Sequence, residues 1–142
     1  MSTEENKAVI RRFWEAVNQG DLNALEDTLA ASYKGRISGL EPLDSAGVKD
    51  LVAQYRSAFP DLHVTIDEMV AEGDKVATRV TMVATHQGAF QGIAPTGKPV
   101  TVTQIHIDRV LYGRSVRTWA SYDTLGLQQQ LGFLPLSAPA GH

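Results

Sequence analysis

Apolar positions in the first sixty residues recur at helical spacing. Val9, Ile10, Phe13, Trp14 and Val17 fall on one stripe, which predicts an amphipathic helix over residues 4 to 19. Gly20 ends it, and Asp21 caps a short second helix in which Leu22, Leu25 and Leu29 repeat. A short strand is expected over 32 to 37. Ser45 then caps a third helix with Val48, Leu51, Val52, Tyr55 and Phe59 on its inner face, and Pro60 stops it.

From Leu62 the period falls to two. Apolar residues alternate with His63 and Thr65, and the stretches Val76–Thr85, Val100–Val110 and Ser115–Tyr122 are β-branched and alternating. Gly73-Asp74 and Tyr112-Gly113 mark turns. A loop, HQGAFQGIAPTGKP, covers residues 86 to 99. Asp123 caps a terminal helix that Gly132 ends, and residues 133 to 142 read as a frayed tail. Helices first and antiparallel hairpins second predict an α+β fold, with helices on one face of a curved sheet. At 142 residues the chain is expected to form one domain with its core over residues 6 to 132.

Composition narrows the function classes. There is no cysteine, so disulfides, thiolate metal sites and cysteine nucleophiles are excluded. The net charge is −3 with Lys and Arg scattered, which leaves no electrostatic footprint for nucleic acid. No apolar run approaches the ~18 residues that span a membrane. The acidic MSTEENK start lacks signal-peptide features, and a cytoplasmic location is expected. His63, His86, His106 and His142 show no metal-ligand spacing, so no metal is expected. Gly97-Lys98 is followed by Pro99, not by the Ser or Thr of a phosphate loop, and no G-x-S-x-G elbow occurs.

The candidate chemistry sits late in the chain. Gln104, His106 and Asp108 share one strand face. A neutral imidazole at His106 can accept a proton, and an amide at Gln104 can donate to a carbonyl oxygen. Asp108 lies nearer the turn, at a rim or against a basic residue. Arg79 either orients a substrate oxygen in a pocket or pairs with acids on the outer face. His86, Phe90 and Ile93 either form a lid over an apolar ligand or pack as a hairpin staple. Trp14, Tyr33, Tyr55 and Phe59 read as core, and as pocket wall where core and pocket meet.

Three segments resemble SnoaL-like polyketide cyclases: ENKAVIRRFWEAVNQGDLNAL, THQGAFQGIAPTGK and RTWASYDTLGLQQQLG. The resemblance covers about Asn6 to Gly132. It implies the cone-shaped α+β barrel of the nuclear transport factor 2 type, with three helices packed on a curved, mostly antiparallel sheet over a deep hydrophobic pocket. It implies a homo-oligomer, most often a dimer. Val76, Thr78, Val80 and Met82, or the opposite set on that strand, are the expected contact. The family's best-characterised members close a ring by an intramolecular aldol step without metal or cofactor. A Gln and a His polarise the substrate there, and an aspartate on the last strand moves the proton. Those positions fall on Gln104, His106 and Ala120. The implied pocket floor is Gln104 and His106 with Thr118 and Ala120 beside them, Tyr122 is a further substrate-binding candidate, and the implied ligand is a small apolar carbonyl compound. The frequent E-H-W-D-x-W-D ending stands here as Arg117-Thr118-Trp119-Ala120-Ser121-Tyr122-Asp123, so the carboxylate position is an alanine. Two functions follow as expectations: a cofactor-independent cyclase or isomerase, and a binding module of the same fold.

Overall fold

The computed structural model describes residues 2–38, 40 and 42–132. The expected tail, 133 to 142, lies outside the described residues. The elements run α1 (Thr3–Gln19), α2 (Leu22–Glu26), β1 (Leu29–Ile37), α3 (Ser45–Ala58), β2 (His63–Glu72), β3 (Lys75–Thr85), β4 (Pro99–Leu111), β5 (Arg114–Tyr122) and α4 (Thr124–Leu131). No described helix is long and apolar enough to cross a membrane.

Local chemistry explains the boundaries. Ser2 and Glu5 close a reciprocal capping box on α1, and Gly20 ends it in the left-handed conformation. Asp44, not the expected Ser45, caps α3: its carboxylate accepts from the Gly47 N–H at 2.8 Å, and Ser45 is already the first helical residue. The first strand begins earlier than expected, because Leu29 pairs with Ser115 ahead of an irregularity between Leu29 and Lys34.

The five strands form one sheet in the order β1-β5-β4-β3-β2. β2 to β5 pair antiparallel in sequence order, and β1 joins the far edge parallel to β5. Bulges between Ile66 and Glu68 and between Arg109 and Val110 add bend to the sheet. The inner face carries Val76, Thr78, Val80 and Met82, all buried. Those four therefore cannot supply a subunit contact, and the outward set is Lys75, Ala77, Arg79, Thr81 and Val83. Val9, Ile10, Trp14 and Val17 of α1 share one core with that inner face. Asn18 ties α1 to β2: its side chain accepts from the Val64 N–H at 2.7 Å and donates to the Val64 carbonyl at 2.9 Å.

α4 is held on β4 by polar contacts. Gln130 bonds both the N–H and the carbonyl of Thr101, at 2.7 and 2.9 Å. Asp123 accepts from the Gly126 N–H at 2.8 Å. A Cβ on residue 126 would collide with that same carboxylate, so the cap requires glycine there. Asp123→Ala is expected to cost about 1 kcal/mol in urea unfolding, and Gly126→Ala to cost at least as much by forcing the carboxylate off its N–H. An Asp123→Ala variant as stable as wild type would show that the cap contributes nothing.

Candidate functional site

Between α1, α3 and the inner face of β4 lies a narrow cavity. About 90 Å³ of it is open to the centres of water-sized spheres. Phe13, Trp14 and Val17 of α1, Val48, Leu51, Val52 and Tyr55 of α3, and Met82, Gln104, His106 and Tyr122 of the sheet line it. This is below the ~300–1,000 Å³ of sites that enclose drug-sized ligands.

The polar groups converge at the sheet side. His106 Nε2 lies 2.9 Å from Gln104 Oε1. An amide oxygen only accepts, so Nε2 carries the proton and Nδ1 keeps the lone pair. Nδ1 has no protein partner among the described residues. Trp14 packs edge-on against the imidazole, with ring centroids 4.9 Å apart. Burial in this apolar surround pulls His106 down to about 4, so the ring is neutral at physiological pH. Tyr122 stands directly opposite Gln104 on the neighbouring strand. Burial, with the facing Tyr122 hydroxyl, holds the Tyr55 phenol well above its ordinary value and keeps it a hydrogen-bond donor.

Beside this group, on the same sheet face, lies a buried carboxyl. Asp108 Oδ2 accepts from Ser115 Oγ at 2.8 Å and from Thr118 Oγ1 at 2.6 Å. Burial pushes Asp108 up to about 6, although both hydroxyls favour its ionised form. Tyr33 belongs to this cluster. Burial raises its phenol, the Thr118 hydroxyl opposes that, and the nearby Asp108 adds to it. Thr78 stands opposite His106 with a buried hydroxyl that has no partner among the described residues.

The structure thus brings Trp14, Tyr55, Gln104, His106 and Tyr122 to one cavity and places the other candidates elsewhere. Arg79 is on the outer face, 3.5 Å from both Asp67 and Glu68, so the pocket placement is corrected to the ion-pair one. Its register partner Ile105 is likewise exposed, and the strand's parity leaves Arg79 no path inward. His86, Phe90 and Ile93 form a packed hairpin staple instead of a lid. His86 is fully buried, its Nδ1 accepts from the Thr96 N–H at 3.2 Å, and its ring packs on Phe59 and Phe90. Phe90 and Ile93 exchange backbone bonds, and Gly88 approaches the Ser57 carbonyl too closely for a Cβ. Phe59 is fully buried in that aromatic cluster. Tyr33, Asp108 and Thr118 sit in the carboxyl cluster. Ala120 lies directly opposite His106 in register and does not line the cavity.

Several wall residues were not singled out as site residues from the sequence. Phe13, Val17, Val48, Leu51 and Val52 belong to the two helical stripes, so the periodicity that marks core also marks cavity wall here. Arg56 has no such signal. Its Nη1 donates to the carbonyls of Asn18 and Leu62, at 3.2 and 3.0 Å, and clamps the end of α3 to α1 and the segment before β2. Among the described residues no cluster of three or more His, Asp or Glu side chains is placed to hold a metal ion.

The two buried titratable groups predict an unusual pH profile. A neutral buried His106 costs stability as pH falls from 6.5 to about 4, because only the unfolded chain takes up that proton. A buried Asp108 does the reverse. The native state holds its proton up to about 6 and the unfolded chain releases it at 3.8, so stability is gained as pH falls through that window. Each swing is worth about 3 kcal/mol. Wild type is expected to be nearly flat between pH 4 and 6.5, His106→Gln to gain stability toward acid, and Asp108→Asn to lose it. Urea midpoints stepped through that range check this, and parallel curves for the two variants would contradict it.

Comparison with known proteins agrees with this geometry. The SnoaL-like polyketide cyclase family profile matches residues 8–131. Aklanonic acid methyl ester cyclase AcmA from Streptomyces galilaeus is 29% identical over 136 residues, covering 90% of this chain and 91% of that protein. The structure of AclR, a hydroxylase candidate from the same organism, superposes with a TM-score of 0.88 at 31% identity, over 97% of this chain and 91% of that one. IdmH, a polyketide cyclase candidate from Streptomyces antibioticus, gives 0.80 at 32% identity, over 89% and 98%. With a five-stranded curved sheet, an inner cavity and a family match along nearly its whole length, the chain belongs to the SnoaL-like polyketide cyclases.

Proposed function

We propose that the protein is a small-molecule enzyme that moves a proton on an enolisable, polyketide- or terpenoid-like carbonyl compound without a cofactor. The observation that carries this reading is the His106–Gln104 bond beside a mostly apolar cavity of aliphatic and aromatic side chains. It presents an unprotonated Nδ1 and leaves the Gln104 amide hydrogens for a substrate oxygen. His106 Nδ1 takes the proton α to the carbonyl. The Gln104 amide, with the Tyr55 and Tyr122 hydroxyls as further donors, holds the enolate oxygen as charge develops. The enolate carbon then bonds to a second carbonyl carbon, and the imidazolium returns its proton to the new alkoxide. An isomerisation returns it to a different carbon instead. An imidazole that titrates near 4 alone is a weak base, but an enolate beside it is a counter-ion and raises its basicity when it is needed.

The second reading is a binding module of the same fold. Ala120, opposite His106, is the position where the family resemblance puts the carboxylate. Asp108 does not replace it: one oxygen is held by two hydroxyls, and the residue does not line the cavity.

Deuterium exchange separates the two. A polyketide-like aryl β-keto ester incubated with the protein in D₂O is expected to exchange its α-protons faster than in buffer, and His106→Ala to remove the acceleration. Full acceleration in His106→Ala rules out the mechanism. Saturable binding of the ester with no acceleration by wild type assigns the module reading. Gln104→Ala is expected to lower the exchange rate about 10²-fold, the scale of a lost oxyanion donor.

A further inference from the structure

The end of α3 is tied to the loop between β3 and β4. The last carbonyls of a helix have no partner inside it. Ala58, the last residue of α3, finds its partners in that loop: its carbonyl accepts from the Gln87 and Gly88 N–H groups, at 3.0 and 2.9 Å. His86 stands immediately before them and closes the loop on itself. Its N–H donates to the Lys98 carbonyl at 2.9 Å, and its own carbonyl accepts from the Gly97 N–H at 2.8 Å.

The His86 ring adds a costlier tie. The Thr96 N–H donates to Nδ1, and the Thr96 hydroxyl lies 3.0 Å from the same nitrogen. An N–H only donates, so Nδ1 holds a lone pair and the ring proton is on Nε2. Nε2 is buried with no partner among the described residues. A buried donor left unpaired works against folding. A phenylalanine would fill the same place without that cost, but it could not hold Thr96.

Two phenylalanines carry this anchor to the cavity. The imidazole packs on Phe59, with ring centroids 5.5 Å apart, and on Phe90 at 6.4 Å. Phe59 and Phe90 meet edge to face at 5.2 Å, and neither lines the cavity. Tyr55 does line it, and its ring stacks on Phe59 at 6.0 Å and meets Phe90 edge-on at 5.1 Å. Phe59 follows Tyr55 by four residues, so α3 alone brings those two together. Phe90 reaches Tyr55 only because the loop is folded. The Tyr55 ring thus has the loop behind it and the cavity in front, and its hydroxyl faces that of Tyr122.

We infer that His86 is a positioning residue for Tyr55: by tying Thr96 it holds the loop shut, and through Phe90 it fixes the direction of the Tyr55 hydroxyl in the cavity. This rests on the reading of Tyr55 as a donor to the enolate oxygen. His86 itself does not line the cavity and touches no ligand there. A donor stabilises developing charge only when it is aimed before the reaction. A Tyr55 ring released from Phe90 divides its time among orientations, so losing the anchor lowers turnover and leaves affinity alone.

Fluorine NMR tests the tie without reference to the chemistry. 3-Fluorotyrosine in place of the four tyrosines gives one signal each, and Tyr55→Phe identifies that of residue 55. His86→Phe keeps a ring and removes the acceptor. Thr96→Val, at an exposed residue, removes the hydroxyl and leaves the aromatic cluster untouched. Both are expected to shift or broaden the Tyr55 signal while those of Tyr33 and Tyr112 stay in place and report an intact fold. In exchange of the aryl β-keto ester in D₂O, His86→Phe is expected to lower kcat about 10-fold with KM unchanged, less than the ~10²-fold of a removed oxyanion donor. In a Tyr55→Phe background it is expected to cause no further loss. A Tyr55 signal unmoved in both variants overturns the proposal, and so does an equal loss with and without the Tyr55 hydroxyl. A wild type that gives no acceleration removes the proposed chemistry instead, and the fluorine signal still decides whether His86 holds Tyr55.

Discussion

Everything in this molecule depends on the alternation of β4 beneath α1. β4 is the central strand, with β3 and β5 on either side, and every second residue from Val100 to Val110 faces inward. A slip of one residue in its pairing would carry Ile105 and Ile107 under the helices and expose Gln104, His106 and Asp108 to solvent. The same slip would expose Val100, Val102 and Val110 and bury Thr101, Thr103 and Arg109, so apolar packing opposes it. In the middle of the strand specific partners add to this: Trp14 against the imidazole, Ser115 and Thr118 on Asp108, and the bulge between Arg109 and Val110. The flanking valines and the polar partners fix one register together.

The inner row is costly, and its arrangement shows how the cost is contained. Asp108 and His106 are both buried, and burial works against the charge of each. Each is kept near neutrality in a different pH range instead of being paired as ions. They share no hydrogen bond: His106 turns its Nε2–H to Gln104, and Asp108 turns to its two hydroxyls. Above about 6 the floor holds one carboxylate with strong donors and one neutral base whose lone pair is unused. A carboxylate at residue 120, directly opposite His106, would add a second negative charge to this floor. With Ala120 there the unpartnered lone pair beside the cavity is that of His106 Nδ1.

Much of this was legible from residue order. The helical stripes, the strands from Leu62 onward, the Asp123 cap and the shared face of Gln104 and His106 all follow from period and turn chemistry. Parity, however, gives two sets of residues and does not say which set faces in. Arg79 shows the gap: its strand alternates cleanly, and the acids that hold it outside, Asp67 and Glu68, lie on another strand at a bulge that the sequence does not mark. The loop from His86 to Lys98 shows another. Its residue types leave lid and staple equally open, and His86 decides for the staple by anchoring the segment through its backbone, its ring nitrogen and two phenylalanines. Asp108 escaped for a third reason, because the hydroxyls that hold it come from the next strand.

The two faces of β4 therefore cannot vary independently. Gln104 and His106 reach the cavity only because Ile105 and Ile107 point the other way, and those two exposed isoleucines are the geometric complement of the polar floor. A strand that carries a polar floor on one face and sits mid-sheet must place something on the other. Here that side carries Ile105 and Ile107, both exposed, while the inner face spends part of the strand's stability on a buried histidine and a buried carboxyl.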